Sequence, residues 1–135
     1  MKNISDIIQL SLLTEALKIN SKSKVNTNRN LEDWSILNAE DGDVVELGEN
    51  LLFIYKGLNK DCHVNNAGPN AIVYHATYIC DYRKKLKVGI DTGVGLIDKP
   101  NKYKLASEEK REEFYEALKK AGYKWDDVKL KLVKI

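Results

Sequence analysis

Apolar residues recur along the first eighteen positions with a helical period. Ile4, Ile7, Ile8, Leu12 and Ala16 mark one face of a helix over residues 4–18, and Leu10, Leu13 and Leu17 widen it. Left alone, such a helix exposes a large apolar surface to water. It is either an oligomerisation or docking arm or an ordinary helix folded back on the core. The next stretch, "INSKSKVNTNRN" at 19–30, is rich in Asn, Ser and Lys with almost nothing to bury, and it reads as a polar linker. The expected organisation is a helix at 1–18, a linker at 19–30 and a compact β-rich domain at 31–135.

Beyond the linker the period shortens. "GDVVELGENLLFIYKG" predicts a strand near 43–47, a tight turn at Gly48-Glu49-Asn50 and a second strand at 51–56. "NAIVYHATYIC", dense in β-branched and aromatic residues, is the longest strand candidate. "DYRK" turns the chain into "KLKVGI", where Leu86, Val88 and Ile90 alternate with Lys85, Lys87 and Gly89. "DTGVGLIDKPNK" reads as loop. Ser107 then caps a helix with Glu108, Glu109, Glu112 and Glu113 toward its positive end, Lys119 and Lys120 at its negative end, and Gly122 as its stop. Phe114, Ala117, Leu118 and Ala121 are its buried stripe, and "YKWDDVKLKLVKI" follows as a hairpin. The fold class is α+β: a small antiparallel β-barrel or bent sheet, a C-terminal helix plus hairpin, and a separate N-terminal helix.

The ending "YKLASEEKREEFYEALKKAGYKWDDVKLKLVKI" resembles that of a loose group of uncharacterised small proteins from gut Bacteroidetes, their phages and their mobile elements. Members share the Ala-Thr/Ser and Glu-Glu-Lys opening, a helix with Phe and Leu, Gly-Tyr-Lys-Trp-Asp and a lysine-rich last strand. The hairpin "GDVVELGENLLFIYKG" is similar to their upstream part, so the likeness spans about residues 34–135. It implies a barrel-like body closed by a helix and a hairpin, and a phage or mobile-element setting in which small proteins bind or inhibit host machinery. It implies no catalytic residue.

Composition adds limits. Hydrophobic content of 43% and 31% charged residues suit a globular domain. No window approaches the ~18–20 apolar residues of a membrane span. Asp6, Gln9 and Glu15 interrupt what would be the apolar core of a secretion signal. A cytoplasmic protein with reduced thiols is expected. The net charge of +2 conceals two patches. Residues 31–50 hold seven acids and no Lys or Arg, whereas 83–104 hold Arg83, Lys84, Lys85, Lys87, Lys99, Lys102 and Lys104 against Asp91 and Asp98. They neutralise each other within the fold, pair between subunits, or steer a charged ligand.

Both cysteines and both histidines fall within Lys60–Cys80. If residues 71–80 form one regular strand, His75 and Cys80 point to opposite faces and lie ~16–17 Å apart, too far to share a zinc ion. Cys62 beside His63 is sequence proximity and not an activated thiolate. The acids at 40–43 sit on a loop entering a strand, where solvated carboxylates are common. "DTGVG" lacks the following helix and the Gly-Lys-Ser/Thr of a phosphate loop, so Gly93 and Gly95 are expected to serve turn geometry. "DYRKKLK" is more informative, because it sets Tyr82 beside Arg83, Lys84, Lys85 and Lys87 at a hairpin tip. Small barrels use that combination on nucleic acid, cations on phosphate and rings on bases.

The sequence therefore predicts a non-enzymatic protein-binding module, without cofactor or metal, whose partner is host-encoded and which self-associates through Ile4, Ile8 and Leu12. The alternative is a barrel that binds nucleic acid or a nucleotide through Tyr82, Arg83, Lys84, Lys85 and Lys87.

Overall fold

Two antiparallel hairpins, one after the other, build most of the sheet. The computed structural model describes residues 31–135, so the helix and linker expected at 1–30, with Ile4, Ile8 and Leu12, lie outside the described residues. Strand β1 (Val44–Leu47) pairs with β2 (Leu51–Leu58), as the valine- and leucine-rich pattern around Gly48-Glu49-Asn50 predicts. A single helical turn, α1 (Asn59–Cys62), and a loop lead to β3 (Ala71–Ile79), which turns into β4 (Lys85–Leu96). The short β5 (Tyr103–Leu105) returns to pair with β1. The strand order is β4-β3-β2-β1-β5. Because β4 and β5 do not pair, this is an open antiparallel sheet and not a closed barrel.

Helix α2 (Glu108–Lys120) follows the sequence signals closely. The Ser107 side chain accepts from the Lys110 amide at 3.2 Å, and Gly122, with φ +92°, ends the helix in a conformation that disfavours a side chain. A separate hairpin, β6 (Tyr123–Asp126) with β7 (Lys131–Lys134), completes the body, which spans Asp33–Ile135. Among the described residues no helix is long and apolar enough to cross a membrane.

The sheet buries both faces. On one, Val44, Leu52, Ile54, Ala76 and Tyr78 pack beneath Phe114 and Leu118 of α2, with Trp125 and Leu132 of the β6–β7 hairpin at the margin. The Tyr78 and Phe114 rings stack at 5.7 Å. On the other, Val45, Phe53, Tyr55, Ile72 and Tyr74 pack with Ile36 and Tyr103. Ile36 is held there by a 3-10 turn (Ile36–Asn38) whose cap, Ser35, accepts from the Leu37 amide.

Two departures from the expected pattern matter for the site. First, Phe53 faces Thr77 and Tyr55 faces Tyr74, so His75 and Ala76 together oppose Ile54 in a β-bulge. The bulge puts both on the helix side: Ala76 joins the core under α2 and His75 meets Trp125. The expected opposite facing of His75 and Cys80 is thereby overturned, since Cys80 also packs on that core. Second, "DTGVG" is not loop. Asp91–Leu96 extends β4 to 12 residues, making it longer than β3 with 9. The stretch stays extended because Thr92 and Leu96 pair with Val73 and Ala71. Gly95 is required there: at φ +146°, a Cβ would run into the Tyr103 hydroxyl, which donates to the Leu96 carbonyl.

Candidate functional site

The β3–β4 turn is organised by one aspartate. Asp81 accepts from the Arg83 amide at 2.9 Å, and its carbonyl accepts from the Lys84 amide at 3.1 Å. Lys84 adopts left-handed backbone, φ 43°, to enter β4. Asp81 also takes the Arg83 guanidinium through Nε and Nη2, at 3.1 and 2.6 Å. These hydrogen bonds hold the Asp81 carboxyl below its ordinary range and push the guanidinium further up. So fixed, Arg83 lies 5.8 Å from the centre of the Tyr82 ring. Tyr82 itself is 90% exposed.

The other cations of the tip are placed one by one. Lys84 reaches Glu113 of α2 at 3.0 Å and donates to the Cys80 carbonyl. Lys87 lies 3.8 Å from Asp91 on its own strand. Lys85 makes no ion pair among the described residues. Tyr82, Arg83, Lys84, Lys85 and Lys87 are thus brought to one end of the sheet, but three of the four cations meet an acid there. Glu113 also accepts from the Tyr78 hydroxyl at 3.0 Å. Lys84 above all holds the Glu113 carboxyl low, whereas burial, followed by Glu113, pushes the Tyr78 hydroxyl up to about 12.

Beside this tip, α2 and the sheet leave an open cavity of about 630 Å³. Tyr78, Leu86, Ala117 and Ala121 line it, with Lys84, Glu113, Glu116 and Lys120 around them. Sequence reasoning missed this groove, although a signal existed. Glu113, Glu116, Ala117, Lys120 and Ala121 recur at i, i+3, i+4, i+7 and i+8, one stripe of the helix. The expected buried stripe claimed Ala117 and Ala121, yet Ala121 is exposed.

The groups that drew attention as chemistry are occupied by structure. His75, buried, holds Asp41 through Nε2 at 2.7 Å and packs edge-on to Trp125 at 4.8 Å. Burial lowers its pKa despite Asp41, which pulls the other way, and Lys56 adds to the lowering. Asp43 accepts from the Trp34 indole at 3.1 Å. Cys80 donates its thiol to the Asn50 carbonyl, at the start of β2. Cys62 lies beside Gly57, near the far end of β2, and burial pushes its thiol up. Seven residues of extended strand separate those two places, roughly 23 Å. Among the described residues no three His, Cys, Asp or Glu side chains converge as metal ligands would.

Comparison with family models, with curated proteins and with solved structures gives no match for this chain.

Proposed function

We propose that this protein is a non-enzymatic protein-binding module whose contact surface is centred on the β3–β4 tip. The observation that carries the reading is the posture of Tyr82. A ring 90% exposed stands beside a guanidinium that Asp81 already fixes in place. Tyrosine and arginine are the residue types that most often anchor protein interfaces, and preorganisation lowers the entropic cost of using them. The close pairing of Arg83 and Lys84 with acids favours a protein over nucleic acid, because a polyanion would have to compete with Asp81 and Glu113 for those two cations. The resemblance to small proteins of gut Bacteroidetes, their phages and mobile elements supports a host-encoded partner. Self-association through Ile4, Ile8 and Leu12 belongs to the same proposal.

The test is affinity capture with the full chain against its Tyr82→Ala/Arg83→Ala variant, with parallel titrations of single- and double-stranded nucleic acid at low salt. The expected result is at least one protein retained by the wild type and lost by the variant, with nucleic-acid binding weak in both. Strong low-salt binding to nucleic acid that the variant abolishes, without any tip-dependent protein, would establish the alternative.

A further inference from the structure

The tip adjoins a second feature that names the chemistry of a partner. β4 is an edge strand, and its outer rim pairs with no strand among the described residues. Native edges are usually short or disrupted, because alternate residues turn both N–H and C=O outward as a template for another strand. Much of β4 follows that rule. Register shifts against β3 fall between its pairings at Val88 and Asp91 and between those at Thr92 and Leu96, and Gly89, Gly93 and Gly95 take positive φ. The part nearest the tip does not. Lys85, Leu86, Lys87 and Val88 face Ile79, Tyr78, Thr77 and Ala76 in unbroken register, leaving a regular, open edge.

Its two faces are chemically distinct. Leu86 and Val88 turn toward the helix-side core yet are only partly buried, and the cavity of about 630 Å³ opens beside Leu86 over Ala117 and Ala121. Lys85 and Lys87 stand on the opposite face, both exposed, the first without an ion pair among the described residues and the second with only a 3.8 Å contact to Asp91. A strand added to this edge would turn every second side chain toward the apolar cavity and the others toward the two lysines.

We infer that the Lys85–Val88 edge accepts an extended partner segment in which acidic and apolar residues alternate. Backbone pairing supplies the attachment, the cavity takes the apolar side chains, and Lys85 and Lys87 select the acids. This inference rests on the protein-binding reading and gives its partner a pattern.

The probe is a terminally blocked peptide, Glu-Val-Glu-Val-Glu-Val, fluorescently labelled and titrated into the full chain. Its controls are the block sequence Glu-Glu-Glu-Val-Val-Val and the basic Lys-Val-Lys-Val-Lys-Val. The alternating acidic peptide is expected to bind, to slow amide exchange over residues 85–88, and to weaken by at least about tenfold with Lys85→Glu/Lys87→Glu. Both positions are exposed, and circular dichroism checks that this variant remains folded. Absence of binding, equal binding of either control, unchanged exchange, or indifference to the charge reversal each overturns the inference. Should the peptide fail while capture still depends on Tyr82, the strand inference falls and the protein-binding reading stands.

Discussion

Replacing Lys110 by Met removes a charge and keeps most of the stem. In the wild type, Lys110 on the first turn of α2 donates to Glu46 Oε2 at 2.7 Å and to the Glu49 carbonyl at 3.1 Å. The Glu46 side chain is 6% exposed, so without Lys110 its carboxylate would face burial unpaired. Removing one partner of a fully buried pair costs about 3–5 kcal/mol, and a hydrogen bond to a charged group contributes about 1.5–3. Lys110 is itself 33% exposed, so water reaches this pair and the lower range applies. A loss of about 2 kcal/mol is expected, which for a domain of this size lowers Tm by roughly 7–9 °C. The assay is urea denaturation of wild type, Lys110→Met, Glu46→Gln and the double variant, giving a coupling of at least about 1 kcal/mol. The Lys110 ammonium is held up chiefly by its bond to Glu46. That contribution is therefore complete below the ordinary 10.5 and fades only as the pH rises through the higher folded value. A Lys110→Met protein within about 0.5 kcal/mol of wild type, or strict additivity in the cycle, would refute the argument.

Two further outcomes follow from named contacts. His75 has a folded pKa below 6.5, so the stability it confers as a neutral ring is full above 6.5 and falls as the pH drops from there toward the folded value. Denaturation midpoints on either side of pH 6.5 should show this slope, and His75→Gln should flatten it; an unchanged slope would contradict the assignment. Gly95→Ala should destabilise by roughly 1–3 kcal/mol, because the Cβ meets the Tyr103 hydroxyl and the backbone is strained. Gly68→Ala, with nothing near its Cβ and ordinary φ, is the control, and equal midpoints for the two variants would show that the contact is absent.

Elements whose cause is local were legible in the sequence. The Ser107 cap, the acidic first turn, the lysines at the far end and Gly122 define α2 within a few adjacent residues, and the β1–β2 turn is equally local. Two expectations fail where a strand departs from strict alternation. Glycines at 93 and 95 look like loop until the residues that flank them, Thr92 and Leu96, are seen to pair with Val73 and Ala71. The His75 bulge leaves no mark in "VYHATY", because a period of two carries no record of one added residue. The tip is legible from its residues, but the neutralisation of its charge is not. Glu113 neutralises Lys84 from 29 positions away, and only the packing of α2 on the sheet brings them together. The acid that pairs with Arg83, by contrast, lies only two residues away along the chain, at Asp81.

The placing of α2 and the β6–β7 hairpin bears on how the protein is made. The ribosome delivers β1 to β4 first, and until residues 108–134 emerge, Leu52, Ile54, Ala76 and Tyr78 lack the cover that α2 and the β6–β7 hairpin give them. The nascent chain thus carries a greasy sheet face that the mature protein conceals, and β1 also waits for β5. A chain halted before α2 is complete would be the form most in need of a chaperone, and the growing polypeptide most exposed to aggregation would be one already holding five of the seven strands described.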